Sequence, residues 1–245
     1  MRLKLIACQV LTREISRLAA KCPHSLDITY IKQGYHNEPK KLNAILQEEI
    51  DRVEQAEQNT AVRYEGYDAI LICYGLCSNG IAHIKTTKTP LIIPRAHDCI
   101  TLYLGSKQRY GDYFAAHPGT YWYTRSWMEN TPMPGEGYYD YHYKQYAELY
   151  DEDNAEFLAQ ESMKWLDEYS RAAFIAMPGI PNAAFAKEAQ KSAKYLGWEY
   201  DFMQGDDSLL RRFLWGNWAQ DEFLILAPGE AVAPSYDDMI IKAEE

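Results

Sequence analysis

The five residues Ala69-Ile70-Leu71-Ile72-Cys73 form an unbroken apolar run inside the segment Tyr67 to Cys73. A strand this apolar on both faces belongs in the middle of a parallel sheet covered on two sides, not in a half-wet antiparallel one. Similar runs occur at Leu3 to Ala7, Leu26 to Ile31 and Leu91 to Pro94. Helical periodicity separates them. Leu11, Ile15, Leu18 and Ala19 mark one apolar stripe, and Leu42, Ile45, Leu46, Ile50 and Val53 mark a second that starts near Pro39. The alternation predicts βαβ units, hence an α/β fold with a Rossmann-like parallel sheet.

The same order returns later. Ala172 to Met177 reads as a strand, Ala183 to Leu196 as a helix, Trp198 to Met203 as a strand, Ser208 to Trp215 as a helix and Phe223 to Ala227 as a last strand. Two lobes with similar strand–helix order are expected, although a single sheet holding every strand also fits. The expected division is an N-terminal lobe over 1–118, an aromatic-rich connecting segment and helix over 119–169, and a C-terminal lobe over 170–245. The chain has 20 tyrosines and 6 tryptophans, many of them between Tyr110 and Tyr150. Such rings suit either a ligand-lined cleft or plain packing.

Composition excludes some functions. A net charge of −10 without any basic run gives no electrostatic reason to seek nucleic acid or an anionic membrane. No run of eighteen apolar residues exists, so no membrane span is expected. The opening Met1 to Leu5 lacks the apolar core of a signal peptide, which makes the cytoplasm the default expectation. Five cysteines without a framework spacing point to buried, catalytic or metal-bound thiols in a reducing compartment.

Three of those cysteines follow strand-like runs. Cys8 follows Leu3 to Ala7. Cys77 lies in the turn Tyr74-Gly75-Leu76-Cys77-Ser78-Asn79-Gly80. Cys99 ends Arg95-Ala96-His97-Asp98-Cys99. The carboxyl ends of parallel strands open onto one edge of the sheet, where ligands bind. Cys8, Cys77, His97 and Cys99 are therefore the candidate metal ligands. Zinc accepts such a Cys₃His set, and soft thiolates also hold iron–sulfur clusters. Buried packing is the ordinary alternative, strongest for Cys8, while a thiol nucleophile activated by His97 is a metal-free one. Cys73, inside its apolar run, and Cys22, before Pro23, read as inert.

Asp98 is a candidate catalytic base or orienting carboxylate, with the cap of a helix from Ile100 to Leu104 as the structural alternative. Glu14 is a second candidate catalytic group if its helix turns it to the same edge; otherwise it is a solvent-exposed helix charge. Gly75, Asn79, Gly80 and Arg95 are the candidate cofactor-contacting residues, because glycine permits close backbone approach to a ligand. No nucleotide fingerprint is present.

These segments resemble a known family. Cys8-Gln9-Val10-Leu11-Thr12-Arg13-Glu14-Ile15, the turn Tyr74 to Gly80, and Pro94-Arg95-Ala96-His97-Asp98-Cys99-Ile100 through Ser106 carry the resemblance. Further matches are Gly119 to Thr124, Trp127, Gly205-Asp206 through Leu214, and Gly216. The family is a widespread prokaryotic one filed as a domain of unknown function, found in anaerobic bacteria and methanogenic archaea. Some members are encoded near corrinoid-dependent methyltransferases. In its pattern the cysteines matching Cys8, Cys77 and Cys99 recur, and Ser78 stands where a glycine is usual. The resemblance implies a zinc–thiolate or iron–sulfur protein of anaerobic one-carbon metabolism, an enzyme or accessory factor in methyl or electron transfer. Its partners would be a small-molecule substrate or a corrinoid protein carrying its own cofactor. A non-catalytic module for a small ligand or tetrapyrrole, and a metal-free cysteine enzyme, are the competing expectations.

Overall fold

The structure is a computed structural model and describes residues 1–56 and 66–244, except for the side chains of His36 and Ala56. In chain order the elements are β1 (Arg2–Cys8), α1 (Thr12–Ala19), β2 (Ser25–Ile31), α2 (Pro39–Ala56), β3 (Ala69–Cys73), β4 (Leu91–Pro94) and α3 (Cys99–Leu104). They continue with α4 (Lys107–Ala116), β5 (Thr120–Thr124), α5 (Arg125–Met128), α6 (Tyr138–Ala147), α7 (Glu152–Glu161), β6 (Arg171–Ala176) and α8 (Ala183–Leu196). The last are β7 (Glu199–Gln204), α9 (Ser208–Leu214), β8 (Phe223–Leu226), β9 (Val232–Pro234) and β10 (Ile241–Ala243). A 3-10 turn over Gln9–Leu11 joins β1 to α1.

The chain forms two compact units. One comprises Met1–Arg109 and Asp206–Glu245, and the other Tyr110–Gly205. Each carries a parallel sheet, as the alternating pattern predicts. The boundaries differ from the expected three-part division, for a reason visible in the pairing. β8 does not join a C-terminal sheet. It runs antiparallel along β4, with Leu91 opposite Leu226 and Pro94 opposite Phe223. Asp207, just before α9, is ion-paired to Arg17 of α1. The segment 119–169 is not a connector, since it supplies β5 to the second sheet.

In the first unit the strand order is β2-β1-β3-β4-β8. β1 sits between parallel neighbours, with Cys8 opposite Ile31 and Ala7 opposite Cys73. β3 and β4 are also parallel, so β1, β2, β3 and β4 all end at one edge. Side chains alternate between the two faces of a strand. Ile6, Ile70, Ile72, Leu91 and Ile93 therefore share one face, where Leu42, Leu46, Ile50 and Val53 of α2 cover them. Ala7, Tyr30 and Cys73 lie on one rung of the opposite face. The buried apolar residues of α1, Ile15 and Leu18, follow the predicted stripe.

The second unit has the order β5-β6-β7, all parallel. Ala189 and Ala193 of α8 pack on Ala172, Phe174 and Ala176 of β6. The aromatic abundance is spent largely on packing. The Tyr121 ring meets Tyr123, Trp127, Trp165, Tyr169 and Trp198 at centroid distances of 5.3 to 6.4 Å. Among the described residues no helix is long and apolar enough to cross a membrane.

Candidate functional site

The carboxyl edge of the first sheet brings the three singled-out cysteines together. Cys8 is the last residue of β1, Cys77 lies four residues past β3, and Cys99 opens α3. Because β1, β3 and β4 are adjacent and parallel, their outgoing loops are neighbours. Two backbone hydrogen bonds extend the β3–β4 pairing past the strands. The Leu76 N–H donates to the Ala96 carbonyl at 2.8 Å, and the Cys77 N–H donates to the His97 carbonyl at 2.9 Å. Gly75 makes this approach feasible, since a Cβ there would lie 2.6 Å from both Cα and N of Asp98. On the far side, the buried Tyr103 hydroxyl of α3 donates to the Val10 carbonyl, fixing α3 against the turn after Cys8.

The turn that carries Cys77 is unusual. Cys77, Ser78 and Asn79 have φ of 46°, 55° and 67°, three successive left-handed residues of which none is glycine. Each such residue costs roughly 1–2 kcal/mol. The turn closes with the Gly80 N–H on the Cys77 carbonyl at 3.0 Å, and Gly80 itself sits against Leu42 of α2. Asn79 is exposed, and its carbonyl accepts from Ala82 at 3.0 Å.

The three cysteines are half-buried residues whose thiolate forms would feel one another electrostatically. Burial is the main influence on each. It pushes the Cys77 thiol up to about 12, helped by the Asp98 carboxylate and by Cys8. Cys99 is held well above its ordinary value by burial, then by Asp98, Cys77 and Cys8. Cys8 is raised by burial, partly offset by contacts with the Val10 backbone and Tyr74. With no cation beside them, all three thiols stay protonated at neutral pH. A thiol poised as a free nucleophile shows the opposite shift.

Tyr74 was not singled out by the sequence. It is 4 % exposed and packs in the α2-side core with Cys8 and Cys77 against it. Its buried hydroxyl has no partner in hydrogen-bonding geometry, yet it interacts with the Cys8 sulfur and lies within electrostatic range of Cys77. At the same edge Gln33 accepts nothing and donates nothing through its buried side-chain amide, while its backbone N–H donates to the Gln9 side chain at 3.3 Å. Orphaned buried polar groups cost about 1–3 kcal/mol each and call for an explanation.

The other sequence candidates fall as follows. Asp98 occupies the N-cap of α3, its Oδ1 accepting from Ile100 N at 2.9 Å, and its carboxylate faces Cys77 and Cys99. The capping reading is the one this hydrogen bond shows. His97 is exposed, and its backbone carbonyl rather than its ring tethers the Cys77 loop. Glu14 is 1 % exposed, not a solvated helix charge, because it shares the inward stripe of α1 with Leu18 one turn on. It lies near Tyr30, on the face opposite α2. Arg95 is committed to backbone. Its Nε donates to the Gln220 carbonyl at 2.7 Å, and Nη1 donates to the carbonyls of Met239, at 3.1 Å, and Ile241. Cys73 is fully buried, and the Cys22 thiol donates to the Leu214 carbonyl at 3.2 Å.

The donor set of three sulfurs suits a soft metal. Among the described residues, however, no group of three or more His, Cys, Asp or Glu side chains is arranged as a ligand set.

No curated protein and no solved structure matches the chain. The profile of one family matches residues 30–214, a span that includes Tyr74, Cys77, Asp98 and Cys99 and starts after Cys8. The chain therefore belongs to the family described as protein of unknown function (DUF1638).

Proposed function

We propose that the protein binds a soft metal, as a zinc–thiolate or iron–sulfur centre, through Cys8, Cys77 and Cys99, and that the centre serves methyl or electron transfer in anaerobic one-carbon metabolism. The observation that carries the metal reading is the placement of three cysteines, with Asp98 beside them, where three adjacent parallel strands end. Burial disfavours the thiolates of these cysteines, and their charged forms would repel one another. A bound cation turns that repulsion into attraction, because ligation stabilises the thiolates that burial disfavours. The raised thiols and the exposed His97 also weigh against a metal-free nucleophile.

Three sulfurs leave a four-coordinate ion one position for a small-molecule substrate. Asp98, capping α3 between the two loops, orients the segment that presents Cys99. The placement in one-carbon metabolism, and a corrinoid protein as partner, draw their support from the family resemblance.

The test is elemental analysis and a visible spectrum on protein purified without oxygen. Near-stoichiometric zinc or iron is expected. Cys77→Ser and Cys99→Ser should lose it, while Cys22→Ser and Cys73→Ser keep it. Wild-type protein without zinc or iron, or equal metal in all four variants, would refute the reading.

A further inference from the structure

The two outer strands of the second unit's sheet differ. β5 is buried along most of its length, whereas β7 has no buried residue and has β6 as its one strand neighbour among the described residues. The Glu199 N–H donates to the Ser170 carbonyl and the Gly205 N–H to the Ala176 carbonyl, each at 2.9 Å, so the odd-numbered residues of β7 turn their backbone groups toward β6. Alternate residues of a strand turn these groups to opposite sides, and Tyr200 and Phe202 therefore aim theirs outward. Such an edge invites pairing with another chain unless a lysine, a proline, a bulge or a bare charge guards it. β7 has no lysine and no proline. Its two acids, Glu199 and Asp201, are both ion-paired to Arg171, and Asp201 also accepts from the Tyr113 hydroxyl at 2.6 Å. The Phe202 ring, stacked on Phe174, is 58 % exposed. On β2, the outer strand of the first sheet, no apolar residue is exposed.

We propose that β7 is a self-association edge, which pairs antiparallel with β7 of a second copy about a two-fold axis at Phe202 and joins the two three-stranded sheets into one. The occupant is a second copy because the strand is complementary to itself in one register. With Phe202 opposite Phe202, the two residues exchange both backbone hydrogen bonds, and their rings meet on the face they share. Tyr200 then stands opposite Gln204 and Asp201 opposite Met203, so no acid faces an acid. Moving the centre to Asp201 would set its carboxylate opposite that of the other copy, which like-charge repulsion disfavours. A two-fold contact closes on itself, giving a dimer and not a fibre. Pairing at this edge needs no metal at the thiols.

The test is sedimentation velocity on the full-length chain in reducing buffer, over a concentration series into the high micromolar range. Enough salt is added to screen the net charge of −10 on each copy. Wild type should shift from monomer to dimer as concentration rises. Phe202→Glu sets two carboxylates opposite each other and should weaken the dimer at least about 10-fold. Its melting temperature should stay near that of wild type, because the position is largely exposed. A second variant reads the same contact should Phe202→Glu fail to fold. Residues exchanging both backbone bonds have Cα atoms about 5.5 Å apart, within disulfide reach. Phe202→Cys should therefore cross-link into covalent dimers under mild oxidation, well above the background that the native cysteines give in wild type. Wild type that stays monomeric throughout overturns the proposal, as does Phe202→Cys that cross-links no better than wild type. A dimer that Phe202→Glu leaves intact belongs to another surface and overturns it as well.

Discussion

Close approach at Gly75 is what lets the loops after β3 and β4 share two hydrogen bonds. Any side chain there meets the backbone of Asp98, which has nowhere to retreat because Asp98 is pinned as the cap of α3. Gly75→Ala should therefore cost about 1–3 kcal/mol, as overpacking does. It should also move Cys77 away from Cys99. The check is a thermal melt alongside metal content, and a variant with wild-type values for both would show that the contact relaxes freely. Residue type announced some of this and hid the rest. Cys77 and Cys99 were legible because polar, turn-rich segments give little packing reason for a thiol. Tyr74 was not, since a tyrosine after an apolar strand looks like ordinary core and only its unmatched hydroxyl sets it apart. Arg95 read as a ligand contact because a charge at a strand end looks functional; nothing local shows that carbonyls more than a hundred residues later take its donors.

Among elements, α2 is tied to the loop before β4 through one carboxylate. Glu54 accepts from the backbone N–H groups of Thr87, Lys88 and Thr89 and from the Thr87 hydroxyl, at 2.7 to 3.1 Å. Burial pushes its carboxyl up, but these donors outweigh it and hold the group below its ordinary value. A depressed carboxyl stabilises the fold above its unfolded value of about 4.3, and the contribution fades as pH falls through the folded value. Glu54→Gln should lower stability by about 1–3 kcal/mol at neutral pH and flatten the acid limb of a stability–pH curve from denaturant melts. A wild-type acid limb in the variant would show that other carboxylates set it. The strands β1 to β4, β6 and β7 and the helices α1, α2, α8 and α9 were legible from periodicity, since burial on one face or two imposes it. The direction of β8 was not. A four-residue apolar run looks the same in either direction, and the edge it covers is decided by β4 far upstream.

For the molecule as a whole, the first unit is discontinuous in sequence and the second is continuous. Tyr110–Gly205 expressed alone should give a soluble product with a cooperative melt. Met1–Arg109 alone should not, because β4 would keep an unpaired hydrophobic edge and the buried side of α1 would lose α9. Supplying Asp206–Glu245 on a second chain should rescue it. Circular dichroism melts of the three preparations check this, and a well-folded Met1–Arg109 would mean that the last segment is an accessory.

That discontinuity has a consequence during synthesis. A ribosome finishes β1, β3, β4 and α3, and with them every proposed sulfur ligand, before it begins the second unit. The edge of β4 then waits, uncovered, until β8 emerges near the end of the chain. Domains generally fold as units while the chain is being made, and an unpaired apolar edge at that stage invites association with other chains. If the nascent cysteines capture an ion as proposed, that ion would hold β1, β3 and β4 in register through the interval, and metal supplied during translation should then raise the yield of intact protein above that from metal added afterwards.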